Sequence, residues 1–103
     1  MNENEYYHFF SNLANPLKIR IIVSLKEKEK NVTQIAESLK EEQSKISHAL
    51  TALKVCKIVE SKQNGKERVY FLNKETILPM LKLIEGHREA HCDCKNCSRM
   101  CGK

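Results

Sequence analysis

The chain of 103 residues has few of the features that mark membrane proteins, secreted proteins or enzymes. Its longest apolar stretch, residues 19–25, is short and interrupted by Arg20 and Ser24, so we expect no signal peptide and no membrane span. It contains only three glycines and no phosphate-binding loop. No activated nucleophile and no paired acid and base stand out. We therefore expect a cytoplasmic protein that is not an enzyme.

Size and charge favour a small protein with a polyanionic partner. A chain of this length forms one domain and buries only about two thirds of its unfolded surface, so we expect a homodimer. The formal net charge is +5, and the basic residues are spread through the chain rather than gathered in one arm. This distribution suits a folded surface that faces nucleic acid. Many small soluble proteins are also basic, so charge alone does not decide the partner.

Apolar residues at helical spacing predict four helices in the first half of the chain. Asn15 and Pro16 supply an N-cap and a proline at the first helical position of the second helix. Asn31 and Gln34 have the spacing of a capping box at the start of the third. The helices are predicted at residues 3–13, from 16 to about 25, from about 31 to 40, and at 43–55. The charged run 26–30 is expected to be a solvated helix end and loop.

A β-hairpin and a last helix are predicted in the second half of the chain. Asn64-Gly65 is a strong signal for a two-residue hairpin turn, and it lies between strand-like runs at residues 58–63 and 66–72. The basic residues near the tip are Lys62, Lys66 and Arg68. The last helix is predicted at about residues 74–86, where Pro79 either kinks the helix or marks its true start.

The order of a short helix, a turn, an amphipathic helix and a basic hairpin is typical of a winged helix-turn-helix. We therefore predict a mainly α (α+β) fold with about five helices and a two-stranded β-hairpin wing. Its fourth helix would enter the major groove of double-stranded DNA, and the wing would contact the adjacent backbone or minor groove. The candidate DNA-binding residues are Ser44, Lys45, Ser47, His48 and Thr51 on the helix, and Lys62, Lys66 and Arg68 on the wing. Taken singly, each residue also fits an ordinary solvated helix face or a charged strand edge.

Residues 10–72 also resemble a known family. The similar segments are Leu13-Ala-Asn-Pro-Leu-Lys-Ile-Arg-Ile-Ile, then Gln43-Ser-Lys-Ile-Ser-His-Ala-Leu-Thr-Ala-Leu, then the hairpin ending Val69-Tyr-Phe-Leu. They resemble the ArsR/SmtB family of winged-helix repressors, which are dimeric and release operator DNA when they bind a metal or change oxidation state. The resemblance implies that the fourth helix is the recognition helix. It also implies that the first and last helices form the dimer interface.

The chain departs from the family pattern at the family's sensing sites. Asn31-Val32-Thr33 stands where many arsenic, lead and cadmium sensors carry a Cys-x-Cys pair. The last helix lacks the paired Asp and His ligands of zinc and nickel sensors, apart from His87 and His91 near its end. Glu41-Glu42 replaces the usual turn residues and would bring two carboxylates near DNA phosphates, although acid near a helix N-terminus also stabilises the helix. Any effector must therefore use another site.

Four of the five cysteines lie within residues 92–103, in a segment without an apolar pattern. Cytoplasmic thiols are kept reduced, which favours metal binding or redox sensing over structural disulfides. Thiolates prefer soft ions such as Zn(II), Cd(II), Cu(I) or As(III), and the short spacings allow one segment to wrap one ion. The candidate ligands are Cys92, Cys94, Cys97 and Cys101, with Cys56 and His91 as further candidates. For Cys56, packing as a small buried hydrophobe is the favoured alternative.

These observations lead to one functional hypothesis and three alternatives. The chain is expected to contain a DNA-binding and dimerisation domain at residues 1–90 and a cysteine-rich tail at residues 91–103. The hypothesis is a transcriptional repressor whose operator binding is controlled by a soft metal ion or metalloid at the tail cysteines. The tail would otherwise be a structural zinc site or a reversible thiol switch. From a different class, the protein would be a metal-binding carrier that uses the winged helix only for protein contacts.

Overall fold

The computed structural model describes residues 1–91, with His91 described by its backbone alone. The elements are α1 (Glu3–Leu13), α2 (Pro16–Glu27), β1 (Lys30–Asn31), α3 (Val32–Leu39), α4 (Gln43–Val55), β2 (Val59–Asn64), β3 (Glu67–Leu72) and α5 (Ile77–His91). The predicted five helices and hairpin wing are confirmed. Residues 1–73 form one compact unit, and the described residues 74–91 belong to a second. The proposed division between residues 90 and 91 stays a prediction.

Asparagine side chains cap the N-termini of the first three helices. The side-chain oxygen of Asn15 accepts from the backbone N–H of Lys18 at 3.0 Å, as predicted. Asn31 and Gln34 form the predicted capping box, with bonds of 2.7 and 2.9 Å. A second capping box at the start of α1, which involves Asn2, was not predicted. Each such cap stabilises its helix by about 1 kcal/mol.

The sheet has three strands rather than the two predicted. Its order is β1-β3-β2, and both pairings are antiparallel. The additional strand, β1, is only two residues long and pairs Lys30 with Tyr70 and Asn31 with Val69. Two polar residues carry no alternating apolar signal, so this strand could not be recognised from the sequence. At the other end of the hairpin, Gly65 has a φ of +67°, which explains the glycine in the turn.

The core of the first unit is formed by α2, α3, α4 and the base of the hairpin. The amphipathic character predicted for α4 is confirmed. The four apolar residues on one side of this helix, Ile46, Ala49, Leu50 and Leu53, form an apolar stripe and are between 0 and 5% exposed. The buried apolar residues of this unit are Ile21, Ile22, Leu25, Ile35, Ala36, Ile46, Ala49, Leu50, Leu53, Ile58, Val59, Val69 and Leu72. By contrast, α1 contains no buried residue, and Tyr6, Tyr7 and Phe10 are each more than half exposed.

Lys30 is buried, which corrects the expectation of a fully solvated charged run. Only 8% of the residue is exposed, whereas the other members of the run, residues 26–29, are exposed. Its ammonium donates to both the backbone oxygen and the hydroxyl of Ser24, each at 2.7 Å. Ser24 lies in the last turn of α2, where backbone carbonyls lack helical partners and a positive charge is favourable. Lys30 thus joins strand β1 to the end of α2.

Asn12 connects α1 to the C-terminal end of α4. Its side-chain amide donates to the backbone oxygen of Ala52 at 3.0 Å and to the sulfur of Cys56 at 3.2 Å. Its side-chain oxygen accepts a hydrogen bond from the ammonium of Lys18 on α2. One amide therefore bridges three helices and supplies a donor to a carbonyl in the last turn of α4.

In the second unit, α5 begins later and continues further than predicted. It starts at Ile77 rather than near Lys74 and continues past Gly86 to His91. Pro79 is the third residue of the helix, where a missing backbone N–H removes no helical hydrogen bond. The alternative in which this proline marks the start of the helix is therefore closer to the structure. No helix within residues 1–91 is long and apolar enough to cross a membrane.

Candidate nucleic-acid interface

Helices α3 and α4 form a helix-turn-helix whose turn consists of residues 40–42. Lys40 ends α3 with a left-handed backbone, at a φ of 58°. The backbone N–H groups of Lys40 and Glu41 both donate to the carbonyl of Ala36, which satisfies an acceptor at the end of α3. This turn places the start of α4 immediately after α3 without a glycine.

The outer face of α4 carries all five predicted helix residues. Each is exposed, while the apolar stripe on the opposite side of the helix is buried. The five residues are Ser44, Lys45, Ser47, His48 and Thr51. The hydroxyl of Thr51 donates to the backbone oxygen of Ser47 at 3.0 Å, so its oxygen is available mainly as an acceptor. Short hydroxyls, an imidazole and an ammonium on one face can hydrogen-bond base edges and phosphates.

The acidic residue Glu41 is balanced by two cations. Its carboxylate lies 3.4 Å from Arg20 and 3.9 Å from Lys45, and its side chain is only 27% exposed. Arg20 also donates to the backbone oxygen of Leu39 at 2.6 Å, which fixes its position beside the turn. These two cations therefore reduce the expected repulsion between Glu41 and DNA phosphates. The ion pair with Glu41 also partly neutralises the positive charge that Lys45 would offer to DNA.

The wing carries a basic residue on each of its two faces, and the two residues have different partners. The pairing of β2 with β3 places Ser61 opposite Tyr70 and Lys62 opposite Val69, and adjacent residues of a strand alternate between faces. Lys62 makes an ion pair of 3.1 Å with Glu29, and its ammonium lies 5.6 Å from the ring centre of Phe71. Arg68 lies on the other face, so these two predicted DNA contacts point to opposite sides of the wing. Lys66 follows the turn glycine and is exposed.

Sequence reasoning missed two further lysines beside the interface. The ammonium of Lys54, near the end of α4, donates to the hydroxyl of Ser61 at 2.8 Å, and Arg68 donates to the same oxygen at 3.1 Å. Lys57 follows α4 and lines the same surface. From the sequence alone, lysines at the end of a helix are explained by their favourable interaction with the helix dipole. The sequence does not show that the wing packs beside them.

The four cysteines of the predicted metal site, Cys92, Cys94, Cys97 and Cys101, lie outside the described residues. Cys56 is half-buried at the C-cap of α4 and accepts the hydrogen bond from Asn12. The side chain of His91 also lies outside the described part. Within residues 1–91, no group of three or more histidine, cysteine, aspartate or glutamate side chains could hold a metal ion.

Comparison with known families identifies this arrangement. The model of the family described as "Bacterial regulatory protein, arsR family" matches residues 15–61, which run from the N-cap of α2 through α3 and α4 into β2. Over these residues the chain is similar to the ArsR family. Its winged helix-turn-helix is a DNA-binding fold, and the predicted resemblance is confirmed.

Individual relatives agree with this assignment. The chain is 28% identical over 79 residues to a protein of Synechocystis sp. named "Transcriptional repressor SmtB homolog". The match covers 77% of this chain and 60% of that protein, so the chain spans a little under two thirds of its relative's length.

Solved structures show the same fold. One is the homodimeric winged helix-turn-helix DNA-binding domain of Mb0332 from Mycobacterium bovis, a possible ArsR-family transcriptional regulator. Its TM-score is 0.76 and its sequence identity 24%, and the match covers 85% of this chain and 82% of that chain. Reduced HlyU from Vibrio cholerae has a TM-score of 0.70 and 22% identity, with coverages of 87% and 93%.

Proposed function

We propose that this protein is a homodimeric transcriptional repressor that binds double-stranded operator DNA through α4 and the wing. The observation that carries the proposal is the division of α4 into a buried apolar stripe and an exposed face of five polar or basic side chains. A helix of this kind presents hydrogen-bonding groups to the major groove while its other face anchors it to the domain. The relative named as a repressor supports the direction of regulation.

Exposed apolar side chains support the homodimer. On α1, Tyr6 is 53% and Phe10 57% exposed, and on α5, Leu83 is 75% and Ile84 56% exposed. Large apolar groups in water favour association, because their burial contributes about 25 cal/mol per Å². A dimer with two recognition helices about one DNA turn apart would read two half-sites. The homodimeric state of the Mycobacterium bovis domain supports this assembly.

The effector in this proposal is a soft metal ion or metalloid held by the thiolates of Cys92, Cys94, Cys97 and Cys101. Four sulfur donors suit Zn(II), Cd(II) or Cu(I), and three suit As(III). These residues follow α5 directly in the chain. Binding an ion there would bias the position of α5, and through the dimer the separation of the two recognition helices. A coupling of about 1–3 kcal/mol between the two sites is sufficient to change operator occupancy markedly.

Anaerobic fluorescence anisotropy on labelled DNA from upstream of the protein's own gene tests this function. The reduced protein should bind in the absence of added ions and should dissociate when one of Zn(II), Cd(II), Cu(I) or arsenite is added. Unchanged binding with every ion would contradict metal control. Dissociation only after peroxide treatment would instead assign the cysteines to a thiol switch. Absence of salt-dependent binding to any DNA would contradict the DNA-binding function itself.

Two cysteine variants locate the effector site. Replacement of all four tail cysteines by serine should leave ion-free DNA binding intact and abolish the response to the ion. The matched control is Cys56→Ser, which leaves the tail thiols unchanged and should retain the response. A tail variant that still responds would overturn the assignment, and a loss of response in the control would add Cys56 to the ligand set.

A further inference from the structure

An open cleft lies between the C-terminal half of α4 and the face of the wing that carries Ser61. It is lined by Thr51, Lys54, Val55, Lys57, Arg68 and Tyr70, and we call it the wing cleft. Three of these six residues are cationic and none is acidic. All belong to the unit of residues 1–73.

Two of the cations are aimed at a single oxygen. The Lys54 ammonium and the Arg68 guanidinium approach the hydroxyl of Ser61 at 2.8 and 3.1 Å. A serine hydroxyl can accept both hydrogen bonds but cannot neutralise either charge. The arrangement therefore brings two positive charges together around a small, uncharged acceptor, and a third cation, Lys57, lines the same cleft.

The backbone after α4 holds Lys57 beside this pair. Lys57 has a left-handed φ of 61°, its N–H donates to the backbone oxygen of Lys54 at 3.0 Å, and its own backbone oxygen accepts from the side chain of Asn73 at 3.0 Å. Such a backbone is unfavourable for a residue with a Cβ atom, and these two bonds hold it. The chain reversal keeps this third cation at the cleft.

The charges of the wing cleft contrast with those of nearby basic residues. Arg20 and Lys45 share the carboxylate of Glu41, and Lys62, on the other face of the wing, pairs with Glu29. The ion pairs formed among residues 1–91 include none of the three cations of the wing cleft. A site with adjacent ammonium and guanidinium groups and no carboxylate is suited to a phosphate, which accepts strong, charge-assisted hydrogen bonds from both.

We propose that the wing cleft binds one backbone phosphate of the DNA strand that borders the major groove occupied by α4. The site rests on the proposed DNA-binding function and adds Lys54 and Lys57 to the contacts expected from the sequence. In this proposal Arg68 binds a backbone phosphate beside α4, rather than contacting the minor groove at the tip of the wing. Because a phosphodiester is common to all DNA, this contact contributes affinity and register rather than sequence preference.

Salt dependence of binding tests the proposal. The variants are Lys54→Gln, Arg68→Gln and the double variant, with Lys28→Gln, an exposed lysine at the end of α2, as the matched control. One phosphate contact contributes about 0.9 to the slope of log K against log salt concentration. Because both side chains are proposed to contact the same phosphate, the double variant should lose about one unit of this slope rather than two. The loss should be the same on operator DNA and on unrelated DNA. The control should retain the wild-type slope.

The location of the phosphate can be tested directly. Single phosphates of the operator are replaced by neutral methylphosphonates, and one replacement should weaken binding of the wild type but not of the double variant. If the wild type binds DNA with a normal salt slope and the double variant is unchanged, the wing cleft is wrong while the function stands. If the wild type binds no DNA, the function itself fails. Competition by inorganic phosphate beyond that of chloride at equal ionic strength would assign the cleft to a free anion and overturn the DNA contact.

Discussion

Replacement of Asn12 by alanine should destabilise the protein by about 1–2 kcal/mol, mainly through the end of α4. The substitution removes the donor to the carbonyl of Ala52 at 3.0 Å and leaves that half-buried acceptor without its side-chain partner. Loss of such a partner costs about 1–3 kcal/mol. The bond to the sulfur of Cys56 adds little, because sulfur is a weak acceptor. The higher helix propensity of alanine offsets about 0.5 kcal/mol.

Urea unfolding followed by circular dichroism, at one fixed protein concentration, measures this change. A fixed concentration is needed because the apparent stability of a dimer depends on it. Asn4→Ala is the matched control, since Asn4 is exposed on the same helix, and its effect should stay within about 0.5 kcal/mol. Asn12→Asp should destabilise at least as much as alanine, because it retains an oxygen for Lys18 but faces the Ala52 carbonyl without a donor. A stable Asn12→Asp protein would refute the reasoning.

Three further predictions concern other parts of the molecule. Lys30→Met keeps most of the side-chain volume but removes two charge-assisted hydrogen bonds to Ser24, so thermal unfolding should show a loss of about 2–3 kcal/mol; a loss below about 0.5 kcal/mol would contradict the role of the ammonium. Gly65→Ala meets no atom within 4 Å but places a Cβ at a φ of +67°, so urea unfolding should show a loss of about 1 kcal/mol, and less for Gly65→Asn. Ser47→Ala should reduce discrimination between operator and single-base variants by about 1–3 kcal/mol without changing the salt slope, as measured by anisotropy; a changed slope would place Ser47 on a phosphate.

Local signals predicted most of the fold. The caps at Asn15 and Asn31 depend on residues three positions apart, and the stripe of α4 depends on one helical period, so both are visible in the sequence. The turn at Asn64-Gly65 is equally local. The start of α5 was misjudged, because the residues before Ile77 have no strong cap and Pro79 fits either the first turn or a kink.

The features that could not be predicted arise when distant segments approach. Strand β1 exists because two polar residues pair with β3, and Lys30 can be buried because Ser24 supplies two acceptors. The solvent exposure of the outer face of α4 could be predicted, since this face is the complement of the apolar stripe. The wing cleft could not be predicted, because its cations come from α4, from the residues that follow α4 and from β3. The register of the hairpin decides which wing residues face α4, and the sequence does not show that register.

The distribution of aromatic residues gives this protein two natural spectroscopic reporters. The chain has no tryptophan and three tyrosines, of which Tyr6 and Tyr7 lie on the exposed side of α1 and Tyr70 lines the wing cleft. Ultraviolet emission therefore comes from only two places on the molecule. A Tyr6→Phe, Tyr7→Phe protein would emit from Tyr70 alone, so the occupancy of the cleft could be followed without an attached dye. The converse protein, Tyr70→Phe, would report on the surface of α1 alone, and subunit association and phosphate contact could then be followed as separate optical signals.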